Sequence, residues 1–99
     1  MTEKNEYIEL IKDYLTNRAV AFSIVRENFH GPFWYLKLQI KEYDVTISGD
    51  IGFEVKIKFK DEELPLWKID RSLINHGKTS PQNIEKQLEV LLTYISHNA

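Results

Sequence analysis

The run Phe53-Glu54-Val55-Lys56-Ile57-Lys58-Phe59-Lys60 alternates apolar and charged residues without a break. Successive side chains of a β-strand point to opposite faces. Phe53, Val55, Ile57 and Phe59 therefore share one side, and Glu54, Lys56, Lys58 and Lys60 the other. On a helix the same four hydrophobes would be scattered around the circumference. The run reads as a half-buried antiparallel strand, and it fixes a sheet with one dry face and one wet, lysine-rich face.

The neighbouring segments extend that sheet. Ser48-Gly49-Asp50-Ile51-Gly52 reads as a turn whose two glycines are free to take positive φ. Before it, Phe33 to Lys41 puts Trp34, Leu36, Leu38 and Ile40 on the dry face, and Phe33, Tyr35, Lys37, Gln39 and Lys41 on the wet one. The apolar parity then flips to Tyr43, Val45 and Ile47. Because a one-residue shift moves every side chain to the other face, a turn or bulge must fall near Lys41 to Asp44. A turn is the preferred reading, and one long bent strand the alternative. Val20 to Phe29 supplies a further strand, with Val20, Phe22 and Ile24 on one face and Ala21, Ser23 and Val25 on the other. The residues Asn28-Phe29-His30-Gly31-Pro32 break it with turn chemistry. Downstream, Asp61-Glu62-Glu63 closes the central strand as a charged loop. Leu64 to Ile69 reads as one more short strand, and Pro65, which cannot donate a ladder hydrogen bond, assigns it to an edge.

Helices flank this meander. Tyr7, Ile8, Ile11, Tyr14 and Leu15 recur at three- and four-residue spacing, which predicts an amphipathic helix from about Glu3 to Asn17 with Thr2 as its N-cap. Asn17, which tolerates a left-handed conformation, closes it. Asp70 to Gly77 reads as one or two helical turns, capped by Asp70 and ended by Gly77. Ser80 and Pro81 form an N-cap and N1 pair for a final helix whose apolar face is Ile84, Leu88, Leu91, Leu92 and Ile95. The order is helix, antiparallel meander of four to five strands, helix, an α+β plan with both helices packed on one sheet face.

Ninety-nine residues with 42% hydrophobic content make one domain, spanning 1–99, with a core that needs no staples. There is no cysteine, which excludes disulfides and thiolate-ligated metals and suits a reducing compartment. The polar, acidic start lacks the pattern of a signal peptide, and no apolar stretch approaches a membrane span. These features predict a cytoplasmic protein with no membrane association. A net charge of −2 argues against a dedicated nucleic-acid binder.

No residue set announces a reaction. His30, His76 and His97 have neither mutual nor carboxylate spacing suited to zinc. The serines lack a nucleophile-elbow context, and the carboxylate clusters at Asp44/Asp50 and Asp61-Glu62-Glu63 fit charged hairpin loops. Gly49-Asp50-Ile51-Gly52 lies between strands rather than before a helix, so it lacks the dipole of a phosphate loop. The expectation is a non-enzyme with no cofactor and no metal. Two surfaces remain. One is the wet sheet face, where Phe33, Tyr35 and Lys37 meet Lys56 and Lys58. Rings beside ammonium groups on an open sheet suit single-stranded nucleic acid, while lysine alternation also keeps an exposed sheet soluble. The other is aromatic, with Trp67 beside Pro65 on the expected edge strand, open to a partner strand or simply part of the core.

The helix–meander–helix layout is similar in general plan to small immunity and inhibitor proteins, secretion-chaperone-like domains and some single-strand-binding sheets. That is an analogy of fold and does not establish function. The expected function is a protein-binding module, such as an inhibitor, immunity protein, adaptor or chaperone. It would act through its open sheet face or edge strand, as a monomer or homodimer. The alternative is a single-stranded nucleic-acid-binding sheet. The candidate surface is Phe33, Tyr35, Lys37, Lys56, Lys58 and Trp67.

Overall fold

Trp34, Leu36, Leu38 and Ile40 are all sealed from solvent, and so are Tyr43, Val45 and Ile47 on the next strand and Val55 and Ile57 on the one after. The alternation in the sequence is thus the alternation of burial. The computed structural model describes residues 5–50 and 52–98, and the side chains of all of these except residues 76 and 98. The elements run α1 (Glu6–Asn17), β1 (Ser23–His30), β2 (Phe33–Ile40), β3 (Tyr43–Gly49), β4 (Phe53–Phe59), β5 (Glu62–Pro65), α2 (Leu66–Ile69), a 3-10 helix (Arg71–His76) and α3 (Pro81–Asn98). The five strands form one antiparallel sheet in the order β1-β2-β3-β4-β5. This is the α+β meander between helices that the alternation predicts.

Residues 33–48 form two strands, not one bent one. Ile40 pairs with Tyr43, so Lys41-Glu42 is the turn, and Lys41 takes φ 55° to make it. Phe59 pairs with Glu62 around Lys60-Asp61 in the same way, with Lys60 at φ 59°. At the first hairpin Gly31 supplies φ 58° without a Cβ penalty. The strand here continues to His30, and Gly31-Pro32 alone makes the turn.

α1 and α3 lie on the dry face, and their buried residues Ile8, Ile11, Leu15, Ile84, Leu88, Leu91 and Ile95 join the strand residues in one core. The Tyr43 ring meets Tyr94 of α3 edge-on at 6.2 Å, and Trp34 stacks on Tyr7 of α1 at 5.9 Å. α3 starts as expected: the Ser80 hydroxyl accepts from the Asn83 N–H at 3.2 Å, and Pro81 is the first helical residue. The Asp70 carboxylate likewise caps the 3-10 helix by accepting from the Ser72 N–H at 3.0 Å.

Several expectations need correction. Thr2 and Glu3 lie outside the described residues, and the cap of α1 is Asn5, whose side-chain oxygen accepts from the N–H groups of Tyr7 and Ile8. The left-handed residue after α1 is Ala19 (φ 56°) rather than Asn17, and Val20 N–H closes the motif on the Leu15 carbonyl at 3.0 Å. Leu64 to Ile69 is strand only at Leu64 and Pro65: the edge strand begins earlier, at Glu62, so the expected Asp61-Glu62-Glu63 loop gives its last two residues to β5. β5 stops at Pro65, whose extended conformation serves as N-cap to α2, so Trp67 sits on a helical turn instead of an edge strand. Gly49 and Gly52 do not take positive φ. Gly49 is a strand residue facing Trp34 across the ladder, and any Cβ there would overlap the indole ring. Phe59 packs on Tyr43 at 4.9 Å yet stays 36% exposed, because the sheet ends beside it.

Candidate functional site

Residues directly opposite on antiparallel strands share a face, so the register sorts the wet face into rows. Arg26 pairs with Lys37, Lys37 with Thr46, and Thr46 with Lys56. This row carries three cations across four strands. Adjacent strands are about 4.8 Å apart, so Lys37 and Lys56 stand roughly 10 Å apart at the backbone. On one side runs Asn28, Tyr35, Ser48 and Glu54, and on the other Ser23, Gln39, Asp44, Lys58 and Glu63. Phe33 lies at the end of the face, opposite His30, and is 43% exposed.

The cations are not equivalent. Lys56 Nζ reaches Glu54 Oε1 at 3.9 Å with both side chains about half exposed, a contact that water screens and that holds little energy. Lys58 faces Asp44 on one neighbour and Glu63 on the other. Arg26 and Lys37, beside Tyr35, are cations of the face with no ion-pair partner among the described residues.

Five of the six expected surface residues, Phe33, Tyr35, Lys37, Lys56 and Lys58, come together on this face. Trp67 does not join them. It is 40% exposed on α2 and lines a cavity with Phe53, Leu73 and Ile74.

Arg26 is the member that strand parity alone misses. Continuing the alternation from Phe22 and Ile24 would place it on the dry face. A bulge at Val25, between the pairs Ile24–Leu38 and Arg26–Lys37, inverts the parity. Arg26 then joins the wet face, while Glu27 and Phe29 take the helix side opposite Leu36 and Trp34. Glu27 is held there by Lys12 of α1 at 2.7 Å, and this hydrogen bond lifts the Lys12 ammonium above its ordinary pKa. The signal was legible: Phe22 and Ile24 are even-numbered and Phe29 odd, the same kind of flip that marks the Lys41 turn.

Elsewhere, no group of three or more His, Asp or Glu residues able to hold a metal occurs among the described residues. No helix among them is long and apolar enough to cross a membrane. No protein-family model, curated protein or solved structure matches the chain.

Proposed function

We propose that this chain is a small protein-binding module that takes an acidic partner surface onto the open face of its sheet. The observation that carries the reading is the row Arg26, Lys37, Thr46 and Lys56, which lies uncovered on the wet face with Tyr35 and Phe33 beside it. The strands fix the backbone positions of these side chains, so binding them orders no backbone, as binding a loop would. The ring of Tyr35 supplies area at low entropic cost, and the cations supply orientation and encounter rate. Strand addition at the sheet edges is less favoured. β5 is four residues long and ends in Pro65, and β1 is interrupted by its bulge, both devices that discourage edge pairing. A cytoplasmic setting goes with this reading, since a chain without cysteine suits a reducing compartment. No catalysis is assigned.

The second reading, single-stranded nucleic acid, draws on the same juxtaposition of Tyr35 with Arg26 and Lys37. Asp44, Glu54 and Glu63 on that face, and the net charge of −2, weigh against it. The test uses wild-type protein and an Arg26→Glu/Lys37→Glu/Lys56→Glu variant as baits in nuclease-treated lysate. Proteins retained by wild type at about 50 mM salt, absent from the variant and released as salt screens the charges, support the module. Identical retention by both baits contradicts it. In parallel, binding of an oligonucleotide by wild type, lost in the variant and with Tyr35→Ala, would transfer the reading to nucleic acid.

A further inference from the structure

Six large hydrophobic residues are exposed among the described residues, and three of them, Phe33, Trp67 and Ile74, line two adjoining cavities at one end of the sheet. The first, about 370 Å³, lies on the wet side against Phe33, Asp50 and Glu54. The second, about 320 Å³, lies on the helix side and is walled by Phe53, Trp67, Leu73 and Ile74. Phe53, Glu54 and Gly77 border both, so the two lie next to each other at the start of β4 as neighbouring lobes of a surface groove. The junction is held by backbone: the Phe53 N–H donates to the Gly77 carbonyl at 2.7 Å, and Gly52 bridges to Lys78.

The chemistry of the two lobes differs. The helix-side lobe is aromatic and aliphatic, of a size that takes a large apolar side chain. In the wet-side lobe the ionisable lining residues are Asp50 and Glu54, both carboxylates. Among the described residues the ion pair of Glu54 is its long, half-exposed contact with Lys56, which a better-placed cation displaces at little cost. An acidic lobe contiguous with an apolar one complements a short segment with two adjacent features, an apolar anchor and a basic residue.

We propose that this groove binds an extended peptide segment of another protein, with a Phe, Leu or Met side chain in the lobe walled by Trp67 and Ile74 and a neighbouring Lys or Arg on Asp50 and Glu54. The groove borders the basic row, sharing Phe33 with that face and touching Lys56 through Glu54, but its charge preference is opposite, so basic and acidic ligands separate the two surfaces.

Tryptophan emission reports directly on the site, because Trp34 is fully buried and Trp67 is the exposed ring. The probe is a library of immobilised nine-residue peptides, followed by titration of the best binders in solution. Wild-type protein is expected to enrich peptides in which a large apolar residue lies within two positions of Lys or Arg. Binding should shift Trp67 emission to the blue and protect it from acrylamide. Ile74→Ser and Glu54→Lys should each weaken binding at least tenfold. Both positions are at least partly exposed, so the fold survives, as unchanged circular dichroism would show. A lack of enrichment, enrichment of acidic peptides, or affinity unchanged by both variants overturns the proposal. So does a concentration-dependent Trp67 shift without peptide, which would mean that a second copy fills the groove.

Discussion

Gly49 shows how a single residue's environment can invert its sequence meaning. Read as a turn glycine it needs positive φ; in the fold it sits in β3 as a bare surface against which the Trp34 ring lies. The indole is sealed among Tyr7, Phe53 and Gly49, with its Nε1–H unpaired among the described residues. Gly49→Ala should therefore destabilise by about 1–3 kcal/mol through overpacking, measured by urea denaturation. Trp34→Phe frees space and removes an unsatisfied donor, so the double variant should recover part of that loss. Strict additivity of the two changes would show that the ring and the glycine do not meet.

At the scale of elements, local chemistry predicted well where one pattern ruled and poorly where two competed. The central strand and the Ser80-Pro81 start of α3 each carry one unopposed signal and are found where expected, and at Lys41 the turn prevails over the bent-strand alternative. Ser80→Ala should accordingly cost about 1 kcal/mol and Ser80→Gly only tenths. The segment after Pro65 combined an apolar run with a proline. The proline's extended conformation ended the strand and opened α2, which carried Trp67 away from the sheet face. At β1 the competing signals were a regular alternation and a bulge, and the bulge decided which face Arg26 occupies. Deleting Val25 should leave the pairs Ile24–Leu38 and Arg26–Lys37 in place and restore a regular ladder. The chain should still fold, but with a flatter edge strand that self-associates more readily, seen as a shift toward larger species in light scattering. A deletion that unfolds the protein would mean that the bulge is needed for the fold itself and does not merely guard the edge.

For the whole molecule, the meander puts all helices on one side and leaves the other side of five strands uncovered. That asymmetry was legible in Phe53 to Lys60 alone. The identity of what covers the face was not, because lysines alternate on an exposed sheet both to keep it soluble and to meet a partner. The fold adds the register, which aligns Arg26, Lys37 and Lys56 into one row and leaves Arg26 and Lys37 without acidic partners among the described residues. The direct measurement of the central claim is lysine acetylation footprinting of the protein alone and with partners captured from lysate, read by mass spectrometry. Lys37 and Lys56 are expected to become protected in the complex while Lys86, exposed on α3, reacts as before. Protection of Lys86 with undiminished labelling of Lys37 and Lys56 would place the interface on the helices and contradict it.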